Sequence, residues 1–433
     1  MNRRGSTLRP TRTHIRRRRG ALCCVTACLL LALVIAPTKR TASTGPIHSG
    51  EAAGARAAVG ARRGSATGVG VAHLTTSEQQ LRFVVATTLR RNYVRRQIVV
   101  YPSPAYYNPY LRDSFWVAQT MDDRRFSTYV LDRFAANERA DGEPPTWFIN
   151  AYRYPQYHDD ESAALALIWA WHNLELYHAT PPRRLLQRTL AYLVRRSHNG
   201  RFISSPGTYA SWWDAYRLPV PDTLSYNQGL FAVAMRCAKG LGLSVPTHYI
   251  AKAENAYRGM FDAHRGYLTV SKRIPASDAS ALTGEFLSMW LFNRPILSNK
   301  MVLSTLRHLS PFGPGFRVVV MPGVNDADGA GLASSRQFGI PGDYQNGASW
   351  LLYDALSIGA AGLHGMPGAL TRLQARLALE FRYGVILHEY LQTNPSLPYY
   401  KTEPPWRNRF SWDAFALVVD RVLRAHERHG SGC

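Results

Sequence analysis

An all-α (α/α)6 toroid, with an inner ring of helices set inside an outer ring, is the fold class this sequence predicts, and three observations predict it. Apolar residues recur at helical spacing in about twelve segments after residue 76. These segments alternate between a kind that is apolar all round and a kind that is amphipathic. The connections alternate with them, short after the first kind and long after the second. Because short turns join antiparallel neighbours, every long connection must then emerge at one end of the bundle. A ring also lets about 350 residues share one core, where a layered domain tends to split beyond roughly 250 to 300.

Along the chain, residues 1–38 read as an export signal or signal anchor. The basic stretch Arg16, Arg17, Arg18 and Arg19 precedes an apolar run from Ala21 to Ala36. At ~1.5 Å per residue that run spans roughly 24 Å, slightly less than a bilayer core, so both cleavage and retention as a membrane tether are open. Residues 39–75, rich in Ala, Gly, Arg and Thr, read as a solvated linker. The helical domain is expected over 76–427 and a short tail over 428–433. Of the net charge of +23, the stretch up to Arg96 carries +16, with eighteen Lys and Arg against Glu51 and Glu78. The body is thus mildly basic, which argues against a nucleic-acid partner. Cys23, Cys24 and Cys28 lie in the apolar run and Cys237 and Cys433 stand apart, so no disulfide framework is expected. There is no His/Cys cluster at zinc spacing and no Gly-rich phosphate loop, and no metal or cofactor is expected.

Within the body, Ala163 to Tyr177 places Leu165, Leu167, Ile168, Trp169, Trp171 and Leu174 on every face, as an enclosed helix does. Phe286 to Phe292 and Trp350 to Leu356 repeat that pattern. The stripe Leu186, Leu190 and Leu193, with Arg184, Arg188, Arg195 and Arg196 on the other face, reads as an outer helix, as does Leu370, Leu373, Leu377 and Phe381. Short connections fall around Pro181, Leu243, Pro295 and Gly365. The long ones cover Gln97 to Asn108, Ala140 to Asp159, Ser197 to Asp222, His264 to Asp278, Ser310 to Asp343 and His388 to Arg409.

Four clusters of acids and aromatics sit in or beside these long connections. Tyr110, Arg112, Asp113 and Trp116 open one inner helix; Tyr157, His158, Asp159, Asp160 and Glu161 open the next. Trp212, Trp213 and Asp214 precede Tyr226 and Asn227. Asp343, Tyr344, Gln345, Asn346 and Trp350 pair with His388, Glu389 and Tyr390. An Asp at a helix start also has a structural use, capping free N–H groups for about 1 kcal/mol, which serves Asp159 or Asp343 equally well. Capping does not account for two tryptophans beside Asp214 in a polar loop. Sugar rings ask for that combination, because a pyranose offers a C–H face for stacking and a rim of hydroxyls for carboxylates.

These residues resemble the six-hairpin glycosidases, including glucoamylase-like enzymes and the amylo-1,6-glucosidase part of glycogen-debranching enzymes, over roughly Tyr110 to Val422. In debranching enzymes a Trp-x-Asp-Ala segment carries the general acid ahead of an Asn-containing inner helix. Trp212-Trp213-Asp214-Ala215 ahead of Tyr226-Asn227-Gln228-Gly229-Leu230 is similar, which implies Asp214 as the acid. Their base is a Glu soon after an outer helix, and Ile386-Leu387-His388-Glu389-Tyr390 leading to Phe410-Ser411-Trp412 implies Glu389. Tyr344 to Trp350 is similar to the family's cleft-wall helix, and Arg112-Asp113 resembles its sugar-holding pair. The Pro/His/Arg/Gly run that follows the base in debranching enzymes is absent, and Pro395 to Arg407 stands in its place.

The resemblance implies a glycoside hydrolase on an oligo- or polysaccharide, which the export segment would place outside the cytoplasm, with Asp214 as acid and Glu389 as base of an inverting reaction. Arg112, Asp113, Trp116, Asp160, Trp212, Trp213, Tyr226, Asn227, Tyr344, Gln345, Asn346, Trp350 and Trp412 are the expected substrate contacts. Asp113 and Asp160 stay open as alternative acids. Two other readings share the toroid: a glycan-binding protein without catalysis, and a polysaccharide lyase that would enlist Tyr110 and Arg112.

Overall fold

The computed structural model describes residues 76–430 apart from 105, 208–209, 214–217, 319–341, 383, 385 and 397–408. The expected signal, the linker, the run at 21–36, Asp214 and much of two long connections therefore lie outside the described residues. Among the described residues twelve α-helices alternate along the chain. Six form an inner ring: α2 (Leu111–Met121), α4 (Ser162–Tyr177), α6 (Ser225–Gly240), α8 (Thr283–Phe292), α10 (Leu351–Leu363) and α12 (Ala416–Gly430). Each packs on the next, and α12 returns to α2, so the ring closes. The outer helices are α1 (Thr76–Asn92), α3 (Arg124–Ala136), α5 (Arg183–Arg195), α7 (Tyr249–Arg258), α9 (Asn299–His308) and α11 (Ala369–Phe381).

Burial follows the two chemical types. Every residue of α10 from Leu351 to Gly362 is buried, as is every residue of α6 from Ser225 to Ala238. By contrast α5 buries only the stripe Leu186, Thr189, Leu190, Tyr192 and Leu193. Inner helices turn directly into outer ones because their ends reverse sharply. Asp122, His178 and Asn293 adopt left-handed backbone at the ends of α2, α4 and α8, and Asp123 caps α3 by accepting the Phe126 N–H at 3.1 Å.

The long connections hold a feature that periodicity did not reveal. Each of the first five contains a two-stranded antiparallel hairpin: β1/β2 (Tyr93–Val94, Val99–Val100), β3/β4 (Trp147–Ile149, Tyr154–Gln156), β5/β6 (Ser197–His198, Arg201–Phe202), β7/β8 (Phe261–Asp262, Tyr267–Leu268) and β9/β10 (Pro311–Phe312, Gly315–Phe316). Strands of two or three residues are too short to show a period of two. Their inner ends, Val100, Phe202, Leu268 and Phe316, are buried and continue the core beyond the helices. Along the ring axis Phe415 packs edge-on against Trp116 at 4.7 Å, Trp290 at 5.5 Å and Phe286 at 6.0 Å, joining helices from opposite parts of the ring.

Among the described residues no helix is long and apolar enough to cross a membrane. Cys237 is buried with a free thiol.

Candidate active site

The N-terminal ends of α2 and α10 and the stretches leading into α4, α6 and α12 line one pocket of about 650 Å³, its open mouth included. Five of the six long connections contribute described residues to it: Pro102, Tyr106 and Tyr110; Thr146 and Asp159; Trp212; Tyr344, Gln345 and Trp350; Glu389, Phe410 and Trp412. The first turn of α2 adds Arg112 and Asp113. The α7–α8 connection stays away.

Arg112 forms the floor. Its Nη1 donates to Glu161 Oε1 at 2.6 Å and to the Trp212 carbonyl at 3.0 Å, and its guanidinium lies 5.0 Å above the Trp412 ring. Glu161, just ahead of α4, accepts on its other oxygen from Tyr226 of α6 at 2.6 Å. One carboxyl thus ties α2, α4 and α6 together under the pocket. Burial pushes Glu161 up to about 7 against the opposing pull of Arg112. Burial also disfavours the Arg112 charge, but Glu161, Tyr353 and Asp113 outweigh it and hold the guanidinium well above the ordinary arginine value.

The walls are aromatic. The Trp212 ring sits 4.3 Å from Tyr353 and 5.3 Å from Trp350; Trp350 stacks on Tyr390 at 5.3 Å and meets Tyr344 at 5.2 Å and Trp412 at 5.7 Å. The Trp212 carbonyl accepts from Gln345 at 3.3 Å as well as from Arg112. The buried indole N–H groups of Trp212 and Trp412 have no acceptor among the described residues. Glu389, 3% exposed, also lines the pocket, with the Tyr106 hydroxyl donating to its Oε2 at 3.4 Å.

Of the residues expected from sequence, Arg112, Asp113, Trp212, Tyr344, Gln345, Trp350, Glu389 and Trp412 line this pocket. The others do not. Trp116 lies one turn deeper in the core against Phe415. Asp160 faces the α5–α6 connection, accepting from Arg196 at 2.7 Å and from the Ser205 N–H at 2.5 Å. Tyr226 holds Glu161, and Asn227 donates to Ser204 at 2.7 Å and to the Ala210 carbonyl at 2.6 Å, fastening the loop that carries Trp212. Trp213 is buried beside Trp212, and Asn346 is buried in the turn that follows Asp343. Asp159 borders the pocket yet uses both oxygens to cap α4, on the Ser162 N–H at 2.9 Å and hydroxyl at 2.8 Å. Sequence reasoning missed Tyr106, Thr146 and Phe410 as lining residues and Glu161 as the floor's anchor. The Tyr-rich run ahead of Tyr110 was a signal for the first; three consecutive acids gave no ground for ranking Glu161 above its neighbours. Among the described residues no group of three or more His, Cys, Asp or Glu is placed to hold a metal.

No family model matches the sequence, and no curated protein does either. Solved structures do match its fold. A glycosidase in complex with glucose superposes with a TM-score of 0.58 at 13% identity, over 80% of this chain and 97% of that one. A GH63 mannosylglycerate hydrolase from Thermus thermophilus in complex with glucose gives 0.53 at 14% identity, over 79% and 99%. The same hydrolase in complex with Tris and D-glycerate gives 0.53 at 13%, over 78% and 99%. The chain therefore has the six-hairpin glycosidase-like fold that its helix pattern predicts.

Proposed function

We propose that this protein is a glycoside hydrolase that seats a terminal sugar unit on Arg112 and Asp113 and cleaves its bond by inversion, with Asp214 as general acid and Glu389 as general base. The observation that carries the reading is convergence: five separate connections and the first turn of α2 bring a cation, carboxyls and a tryptophan wall to one pocket. Fold neighbours have been solved in complex with glucose, which supports a sugar as the ligand. In the reaction Glu389 takes a proton from a water on one face of the anomeric carbon. The acid gives a proton to the departing oxygen on the other face, and water oxygen replaces it with inverted configuration. Such a pair stands about 6.5 to 9.5 Å apart, leaving room for the water. The ion pairing of Asp160 with Arg196 favours Asp214 or Asp113 as the acid.

A panel of α- and β-glycosides, with the first-released anomer followed by proton NMR, tests the activity and its stereochemistry. Glu389→Gln and Asp214→Asn are expected to lower kcat by at least about a thousandfold with little change in Tm. Binding without turnover by the unsubstituted protein would instead establish a glycan-binding toroid. We also propose that the segment at 21–36 carries the domain across the membrane, which fractionation of the full chain would reveal; recovery only in the cytosol would refute it.

A further inference from the structure

Glu389 belongs to no helix, and the stretch around it is fastened at two points that lead to the same buried residue. On one side the His388 N–H donates to Glu380 Oε1 at 2.8 Å. On the other, Leu391 exchanges two backbone hydrogen bonds with Ser349, at 2.9 and 2.8 Å. Glu380 Oε2 accepts from Arg376 Nη1 at 2.7 Å. The Ser349 hydroxyl donates at 2.7 Å to Asp354 Oδ2, which accepts from Arg376 Nε at 2.6 Å. Arg376, Glu380 and Asp354 are all 0% exposed.

Burying three ionisable groups costs more than packing apolar ones unless they serve a geometric purpose. On the same helix Leu373 and Leu377 satisfy the packing with hydrocarbon alone. The surroundings are also shaped around the cluster. A side chain at Gly315 would start 2.5 Å from Asp354 Oδ2 and 2.8 Å from Arg376 Cδ, so the β9/β10 hairpin closes over it only with glycine there. Its neighbour Phe316 donates its N–H to Asp354 Oδ1 at 2.9 Å.

We propose that Arg376 is a positioning residue for Glu389, fixing both flanks of the segment through Glu380 and Asp354. This rests on the reading of Glu389 as the base. A forked guanidinium suits the task because it holds two carboxylates at a set separation, which a lysine cannot do. The base must meet its water within a fraction of an ångström, and a displacement of about 1 Å costs roughly a hundredfold in rate.

The test uses the full chain with Glu380→Gln and Ser349→Ala, each compared with the parent and with Glu389→Gln. The substrates are a cleaved glycoside and the fluoride of the same sugar. Fluoride departs without help from the general acid but still needs water activated by the base, so a misplaced base shows on both substrates and a damaged acid on the glycoside alone. Glu380→Gln is expected to lower kcat at least about tenfold on both, with KM within about twofold, and Ser349→Ala about threefold or more. Neither should add a further loss to Glu389→Gln. If Glu380→Gln fails to fold, Ser349→Ala decides. An inactive Glu389→Gln beside parental kcat in the folded flank variants overturns this inference alone. A fully active Glu389→Gln overturns the base assignment and this inference with it.

Discussion

Glu161 joins three inner helices through one side chain that accepts on both oxygens, and its titration is tied to that arrangement. Folding raises its pKa from about 4.5 to about 7, chiefly through burial. Its contribution to stability is therefore fully present below about pH 4.5 and is lost as pH rises through about 7, at up to ~1.4 kcal/mol per pH unit. Glu161→Gln imitates the protonated form, so the variant is expected to gain on the parent between about pH 5 and pH 8 in paired thermal melts. A difference in Tm that stays constant across that range would show the carboxyl ionised throughout. At this scale the sequence revealed residue chemistry better than residue depth. Arg112 and Trp116 stand about one helical turn apart, and that rise of ~5.4 Å separates the pocket floor from the core. Asp159 and Asp160 are adjacent, yet one caps a helix beside the pocket and the other pairs with Arg196 outside it. Which way each of two neighbouring acids points depends on loop backbone, and loops leave no periodic trace.

Helices were legible where burial differs between faces. The spread of apolar residues over every face from Leu165 to Leu174 and the single stripe of Leu186, Leu190 and Leu193 separate the rings because one kind is surrounded and the other is half wetted. The hairpins were hidden in the long connections for the opposite reason, since each strand is shorter than the window that would expose it. Close approach of elements was hidden too, though its residues were in view. Gly229 of α6 faces Gly284 of α8, and a Cβ on Gly284 would lie 2.4 Å from the Gly229 Cα. Backbone cannot give way as a side chain can. Gly284→Ala is accordingly expected to cost about 1 to 3 kcal/mol, measured by urea denaturation, by prising two inner helices apart. A neutral effect would mean that the two helices can slide without loss.

The ring as a whole is sealed where its two ends meet. Asn92, at the end of α1, donates to the Arg409 carbonyl at 2.8 Å and to the Ser411 hydroxyl at 2.7 Å, and the Ser411 N–H donates to the Pro102 carbonyl at 2.7 Å. Phe415 then presses on Trp116 across the axis. Because this ring joins the last inner helix to the first, Phe415→Ala is expected to cost about 3 to 5 kcal/mol, and calorimetry should show a single lowered transition rather than a separate melting of α12. Two transitions would mean that the closing helix is an appendage.

That seam also imposes an order of events during synthesis. Some three hundred residues separate Asn92 from Ser411, so the partners of the first helices leave the ribosome last. Until then α1 and α2 hold an unmatched apolar flank, and a nascent chain stalled before Phe410 has nothing of its own to cover it. Such a chain should depend on a chaperone for nearly its whole translation, and its final packing should wait for the closing segment to be released.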